Sequence, residues 1–367
     1  LLVGALALTA GCGGRSPGVP IWLGHVATLS GPEREPGEAA ARGIRLAVED
    51  INKDLDAGVG RPFKVVHSDT RGRLEAFEAE AVRLATVNRV SFLLGGSTAE
   101  EVERLDRARL PVLTPLGFRG RGLSDAVYFL GAPHGAQAKA LATLAVDDLK
   151  ADSLLLVEDE RGEALGEIID AFKRELSLVK KDAKAPAVRV LRFGKTVLAG
   201  GVGAKVAEEL KQKPVRAIVI AGRPEDLREL GPVAVPVLFA GGDVGAKTVR
   251  SHRPAGMVLY FVTAFMPDAE MPRAAEFAKR YQAAFGEEAD VNAAVAYDGL
   301  KLLYEAVCRS KDSLTAARVR EELGKLKDVP GLTGTVSFTA ERQLRRPLFV
   351  VRADNDGVKT VKRLATD

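Results

Sequence analysis

From Pro20 onward the chain alternates short β-rich runs with amphipathic segments, and this alternation limits the possible folds more than any other feature. "PIWLGHVATLS" reads as a strand and its exit loop. After it, Ala40, Ile44, Val48, Ile51 and Leu55 recur at three and four residues, the spacing of one helix face. "PFKVVHSD" is a second strand, Leu74, Phe77, Ala81 and Leu84 mark a second helix, and "VSFLLGG" is a third strand. A βαβαβ order calls for a parallel sheet covered on both faces. The alternation restarts after "VYFLGAPHGAQ", with strands "SLLLVED", "AVRVLRF", "VRAIVIAG", "VPVLFAGG" and "MVLYFV". Two helical stretches follow, "MPRAAEFAKRYQAAFG" and "VNAAVAYDGLKLLYEAV", and the chain closes with strands "GTVSF" and "PLFVVRA". The expected fold is α/β, with two doubly wound parallel-sheet lobes and a cleft between them.

Ahead of this region stands "LLVGALALTAGCGG". Leu1 to Leu8 is too short to cross a bilayer as a helix, which takes about 20 residues. It reads as the apolar part of an export signal, with the chain opening inside that signal. Leu8-Thr9-Ala10-Gly11-Cys12 resembles a bacterial lipobox, with Thr9 where leucine is preferred. The other cysteine, Cys308, lies on a helix face with Leu302, Leu303, Ala306 and Val307 and is expected to be a small buried hydrophobe. Cys12 is therefore expected to carry a lipid rather than a disulfide, which places the protein outside the cytoplasm on a membrane anchor. Residues 1–18 form the signal and linker. With 46% hydrophobic and 28% charged residues, the rest suffices for two ordinary domains. A net charge of +4 with interspersed signs forms no nucleic-acid patch.

In open α/β sheets, ligands sit beyond the carboxyl ends of the strands. Three such loops stand out. In "LLGGSTAEE", Gly95 and Gly96 let the backbone approach a ligand, and Ser97 or Thr98 opens a helix whose free N–H groups favour an anion. A capping box, Ser97 with Glu100 or Thr98 with Glu101, explains the same residues. In "VLTPLGF", Pro115 and Gly117 stop a strand, which is expected to leave backbone groups of Leu116 and Gly117 unpaired; a plain turn is the alternative. In "VLFAGGDVGAKT", Asp243 is either a ligand group or the N-cap of a short helix. That stretch imitates a phosphate loop, but Ala246 stands where glycine is required before Lys247-Thr248. The Gly194 to Thr196 stretch lacks the earlier glycine, with Arg189 in its place. His25, His67, His134 and His252 have no metal spacing, and there is no nucleophile elbow. No enzyme activity, cofactor or metal is expected.

At these loops the chain resembles the type I periplasmic binding proteins of the leucine/isoleucine/valine-binding family, which serve ABC importers. The likeness rests on "LSGPEREPGEAAARGIRLAVEDIN", "LLGGSTAE", "LPVLTPLG", "FAGGD", "AVAYDGLKLL" and "LTGTVSFTAERQLRRPLFVV" in this order. It implies two lobes joined by three crossovers that close on a ligand, residues 19–133 and 262–345 forming one and 134–261 and 346–367 the other. It implies that Ser97, with Thr98 beside it, and the backbone at Leu116 and Gly117 hold a ligand's carboxylate and amino group, while Asp243 pairs with an ammonium. Phe118 departs from the family's threonine or serine and is expected to make the pocket floor apolar. Leu165 or a neighbour replaces a covering aromatic. Arg223 stands near another aromatic position and could instead pair with Glu225 or Asp226. The implied function is solute capture by a monomer for permease subunits, the ligand being an amino acid or a related amine-bearing molecule. A sensory lipoprotein without a transporter is the alternative.

Overall fold

The computed structural model describes residues 18–53, 58–120, 122–161, 163–178, 186–194, 201–268, 270–310 and 313–364; Cys12 lies outside the described residues. The first sheet is built from β1 (Ile21–Ala27), β2 (Phe63–Asp69), β3 (Phe92–Gly95), β4 (Val112–Thr114) and β5 (Val127–Phe129), in the order β2-β1-β3-β4-β5. All its pairings are parallel. Helices α1 (Glu35–Asn52), α2 (Leu74–Thr86) and α3 (Ala99–Asp106) connect successive strands. In α1 the buried stripe is Ala39, Gly43, Ile44, Leu46, Ala47 and Ile51, turned slightly from the expected face, with Ala40 and Val48 at its half-buried margin.

The chain then crosses to the second lobe. Helix α4 (His134–Thr143) continues into a π-helical turn at Leu144–Asp148. It is followed by β6 (Ser153–Asp159), α5 (Glu163–Leu178), β7 (Ala187–Phe193), α6 (Gly201–Gln212), β8 (Ala217–Ala221), α7 (Asp226–Leu230), β9 (Val237–Phe239), α8 (Ala246–His252) and β10 (Leu259–Thr263). β6 and β8 are buried along nearly their whole length, as strands covered on both faces must be. β10 carries Val262 and Thr263 within this second sheet, so the chain leaves it at Ala264.

Returning to the first lobe, α9 (Pro272–Phe285) and α10 (Val291–Arg309) pack on α1. Gly43 permits this: a Cβ there would lie 2.1 Å from the Ala293 carbonyl oxygen of α10. The predicted core face of α10 is buried at Leu302, Leu303, Ala306 and Val307, but Cys308 beside it is only half-buried. Next come α11 (Ala316–Gly324) and a small antiparallel sheet of β11 (Val329–Pro330), β12 (Thr335–Phe338) and β13 (Leu344–Arg345). The chain then re-enters the second lobe as β14 (Leu348–Asp354) and β15 (Gly357–Leu364). The second sheet runs β15-β14-β10-β9-β8-β6-β7, parallel from β10 to β7 and antiparallel at β14 and β15.

The last crossover carries Arg346, which is 1% exposed. Its guanidinium forms an ion pair with Asp298 of α10 and donates to the Leu130 carbonyl at 3.4 Å. Asp298 also accepts the Leu332 N–H at 3.1 Å. Removing one partner of a buried pair leaves an uncompensated charge, so Asp298→Ala should cost about 3–5 kcal/mol. Urea unfolding should show a correspondingly lower midpoint, while Asp298→Leu combined with Arg346→Met should recover most of it. Equal midpoints for wild type and Asp298→Ala would refute this account.

Candidate functional site

Segments beyond the carboxyl ends of β1 and β9 meet across the lobes. Lys247, beyond β9, reaches Glu35 at the start of α1 at 2.8 Å and Glu287 beyond α9 at 3.3 Å. These contacts span the lobes, and they commit the lysine of the false phosphate loop to carboxylates.

On the first-lobe wall, β3 ends at Gly95 with φ +138°, where a Cβ would lie 2.0 Å from the Val26 carbonyl oxygen. Only glycine fits. Of the two possible capping boxes, Thr98 with Glu101 forms: the Thr98 hydroxyl accepts the Glu101 N–H at 3.2 Å. The Glu101 carboxylate in turn accepts the Ser97 N–H at 2.6 Å, the Ser97 hydroxyl at 2.8 Å and the Thr98 N–H at 3.1 Å. Ser97 and Thr98 are exposed.

The neighbouring loop differs from expectation. The Leu116 N–H donates to the Thr114 hydroxyl at 3.2 Å, and the Leu116 carbonyl accepts the Gly131 N–H at 3.1 Å. The Gly117 carbonyl accepts the His134 N–H at 3.1 Å and the Gln343 side-chain amide. The Leu116 N–H and the carbonyls of Leu116 and Gly117 are therefore paired, contrary to expectation. The loop is buried beside the first crossover, and buried backbone polar groups find partners. Gly117 allows the approach, since a Cβ there would lie 2.0 Å from the Ala132 carbonyl oxygen. Phe118 is 4% exposed, packed in the first-lobe core, with its ring stacked on His134 at 4.9 Å. Burial pushes the His134 imidazole down to about 4.

On the second-lobe wall, Leu165 is half-buried in the first turn of α5. Arg223 is exposed, and its backbone alone meets Asp226: its N–H donates to the Asp226 carboxylate at 2.6 Å and its carbonyl accepts the Asp226 N–H at 3.0 Å. The alternative Arg223 ion pair with Glu225 or Asp226 does not form among the described residues: Asp226 is taken by Arg161 at 2.8 Å, and Glu225 lies 3.7 Å from His252. Arg161 also binds Asp159 at 2.7 Å and lies over the Phe193 ring. Sequence reasoning missed this cluster because "EDERGE" reads as ordinary interspersed surface charge.

Asp243 is not an N-cap. Gly245 holds that position on α8, without a side-chain bond. The Asp243 carboxylate instead accepts the Ala132 N–H at 3.3 Å, the Ala264 N–H at 3.0 Å and the Thr263 hydroxyl at 3.2 Å. It thus fastens the first crossover to the second. Burial pushes its carboxyl up, and the Arg346 charge opposes that shift. Among the described residues no cluster of three metal-ligating side chains occurs.

A family model described as "Periplasmic binding protein" matches residues 20–177 and 225–358. The chain belongs to the periplasmic binding proteins. Solved structures of the same fold include the branched-chain amino acid transporter substrate binding protein LivJ from Streptococcus pneumoniae in complex with isoleucine. That chain is 22% identical with a TM-score of 0.78, the match covering 94% of this chain and 98% of that one. The leucine binding protein LivK of Thermotoga maritima is 17% identical with a TM-score of 0.78, covering 94% and 99%. A solute binding protein from R. palustris in complex with 4-hydroxybenzoate is 15% identical with a TM-score of 0.78, covering 95% and 97%. No curated protein matches the sequence. The fold is that of a type I periplasmic binding protein, a receptor rather than an enzyme. Among the described residues no helix is long and apolar enough to cross a membrane.

In this periplasmic binding protein, Asp243→Ala would strip two backbone N–H groups and a hydroxyl of their acceptor, a loss of about 1–3 kcal/mol for a buried unsatisfied donor. Thermal unfolding without ligand should register it, with Asp243→Asn retaining part of the stability. An unchanged melting temperature for the alanine variant would show that Asp243 does not hold the crossovers.

Proposed function

We propose that this periplasmic binding protein is a lipid-anchored receptor that captures a small amine-bearing solute between its lobes and delivers it to an ABC importer. The observation that carries the reading is the position of the Asp243 carboxylate, at the carboxyl end of β9 and bonded to two crossovers. A carboxylate there can pair with a ligand cation while it holds the segments about which the lobes move. The ligands of related structures, isoleucine and 4-hydroxybenzoate among them, support a small organic solute.

A ligand that binds only the folded, closed state at about 100 times its dissociation constant adds about 2.7 kcal/mol of stability. A thermal-shift screen of amines and amino acids should therefore find a stabiliser, and small-angle scattering should show a more compact particle with it bound. A stabiliser that leaves the scattering profile unchanged would rule out closure around the solute.

The anchor is tested separately. The precursor should partition into membranes through acylated Cys12, and Cys12→Ala should release it or leave it unprocessed. Identical membrane fractions for both forms would remove the anchor from the proposal.

A further inference from the structure

Four donors of the two first-lobe loops, the Ser97 N–H and hydroxyl and the Thr98 and Leu116 N–H groups, are spent within that lobe. Glu101 Oε2 takes the Ser97 N–H, the Ser97 hydroxyl and the Thr98 N–H, and the Thr114 hydroxyl takes the Leu116 N–H. Three donors converging on one carboxylate oxygen form a strong charge-assisted set. A solute carboxylate seeking those donors would have to displace a group of identical chemistry that is already tethered, and would bring a second negative charge beside it. Glu101 Oε1 takes none of these three donors, and the side chain is half-buried beneath the exposed Ser97 and Thr98. Asp243, bonded to the first and second crossovers, is a second carboxylate toward which a cation can be drawn.

We propose that Glu101 is a specificity-determining residue: it fills with its own carboxylate the seat a ligand carboxylate would take, so the receptor selects a cationic amine that carries no free carboxylate. The proposal rests on the cleft being the solute site and narrows the class of solute bound there. Sequence alone suggested the opposite use of the loop, because Ser97 and Thr98 are anion-binding residue types until both Ser97 donors and the Thr98 N–H are found on Glu101.

The test uses matched pairs that differ by one carboxylate: leucine and isopentylamine, lysine and cadaverine, phenylalanine and phenethylamine. Each is titrated calorimetrically into wild type, Glu101→Ala and Glu101→Gln. The Thr98 hydroxyl still accepts the backbone N–H of residue 101 in both variants, and glutamine keeps a side-chain acceptor for the box. Wild type should bind the amine of at least one pair about tenfold or more tighter than its amino acid, and Glu101→Ala should lower that ratio by about tenfold as the three donors come free. Glu101→Gln should fall between. A wild type that prefers the amino acids, or an alanine variant with an unchanged ratio, would overturn the role of Glu101 and leave the cleft reading standing. Absence of binding by every compound to every form would overturn both.

Discussion

Three chain segments pass between the lobes, and the structure depends on how the backbone at those crossings is satisfied. Asp243 and Arg346 tie the crossings to one another. One carboxylate accepts N–H groups from Ala132 and Ala264, in separate crossovers, and one guanidinium on the third crossover donates to Leu130 of the first. Asp298 supplies the counter-charge to Arg346 and holds the Leu332 N–H as well. Buried ions cost desolvation and seldom add net stability, so their contribution here is to fix which segments lie beside one another. Arg346 Nε is buried with no partner, which shows that even this arrangement does not satisfy every donor.

The same crossovers shape the cleft. Where the first passes the end of β4, Gly117 lets it run close enough to pair with the Leu116 and Gly117 carbonyls. That proximity gives the Leu116 carbonyl one internal partner and the Gly117 carbonyl, with Gln343, two. Phe118 then turns into the core and stacks on His134, at the first residue of α4, so the ring joins the lobes at their base. Its departure from a small hydroxyl residue is thus explained by packing at the crossover, where an apolar ring buries well and a hydroxyl would need a partner.

Most of the fold was legible in the sequence because buried parallel strands are nearly continuous apolar runs and amphipathic helices repeat at their own period. β15 was not. Most of its residues are exposed, so "GVKTVKRL" carries no alternating apolar signal, and the turn before it depends on Gly357 at φ +120°. Strands of two or three residues, such as β5 and β13, are also too short to show a period. At the site, residue types and loops were legible but partners were not. "GGSTAEE" permits two capping boxes, and only the geometry selects Thr98 with Glu101. The bond from Ala132 to Asp243 joins residues 111 apart, beyond any local pattern.

The lobes are held together in two different ways. At the crossovers the contacts are buried and charge-assisted, so opening by separation there would strand polar groups without water. At the rim, Lys247 meets Glu35 and Glu287, and Arg250 meets Glu288, with all five side chains at least one-third exposed. Exposed pairs of this kind contribute about 0–1 kcal/mol each and are weakened by salt. Such a rim can favour a closed arrangement without locking it, because water replaces each partner when the lobes part. For the closure proposed above, the buried clasp would set the axis of motion and the weak rim would leave its extent to what occupies the cleft.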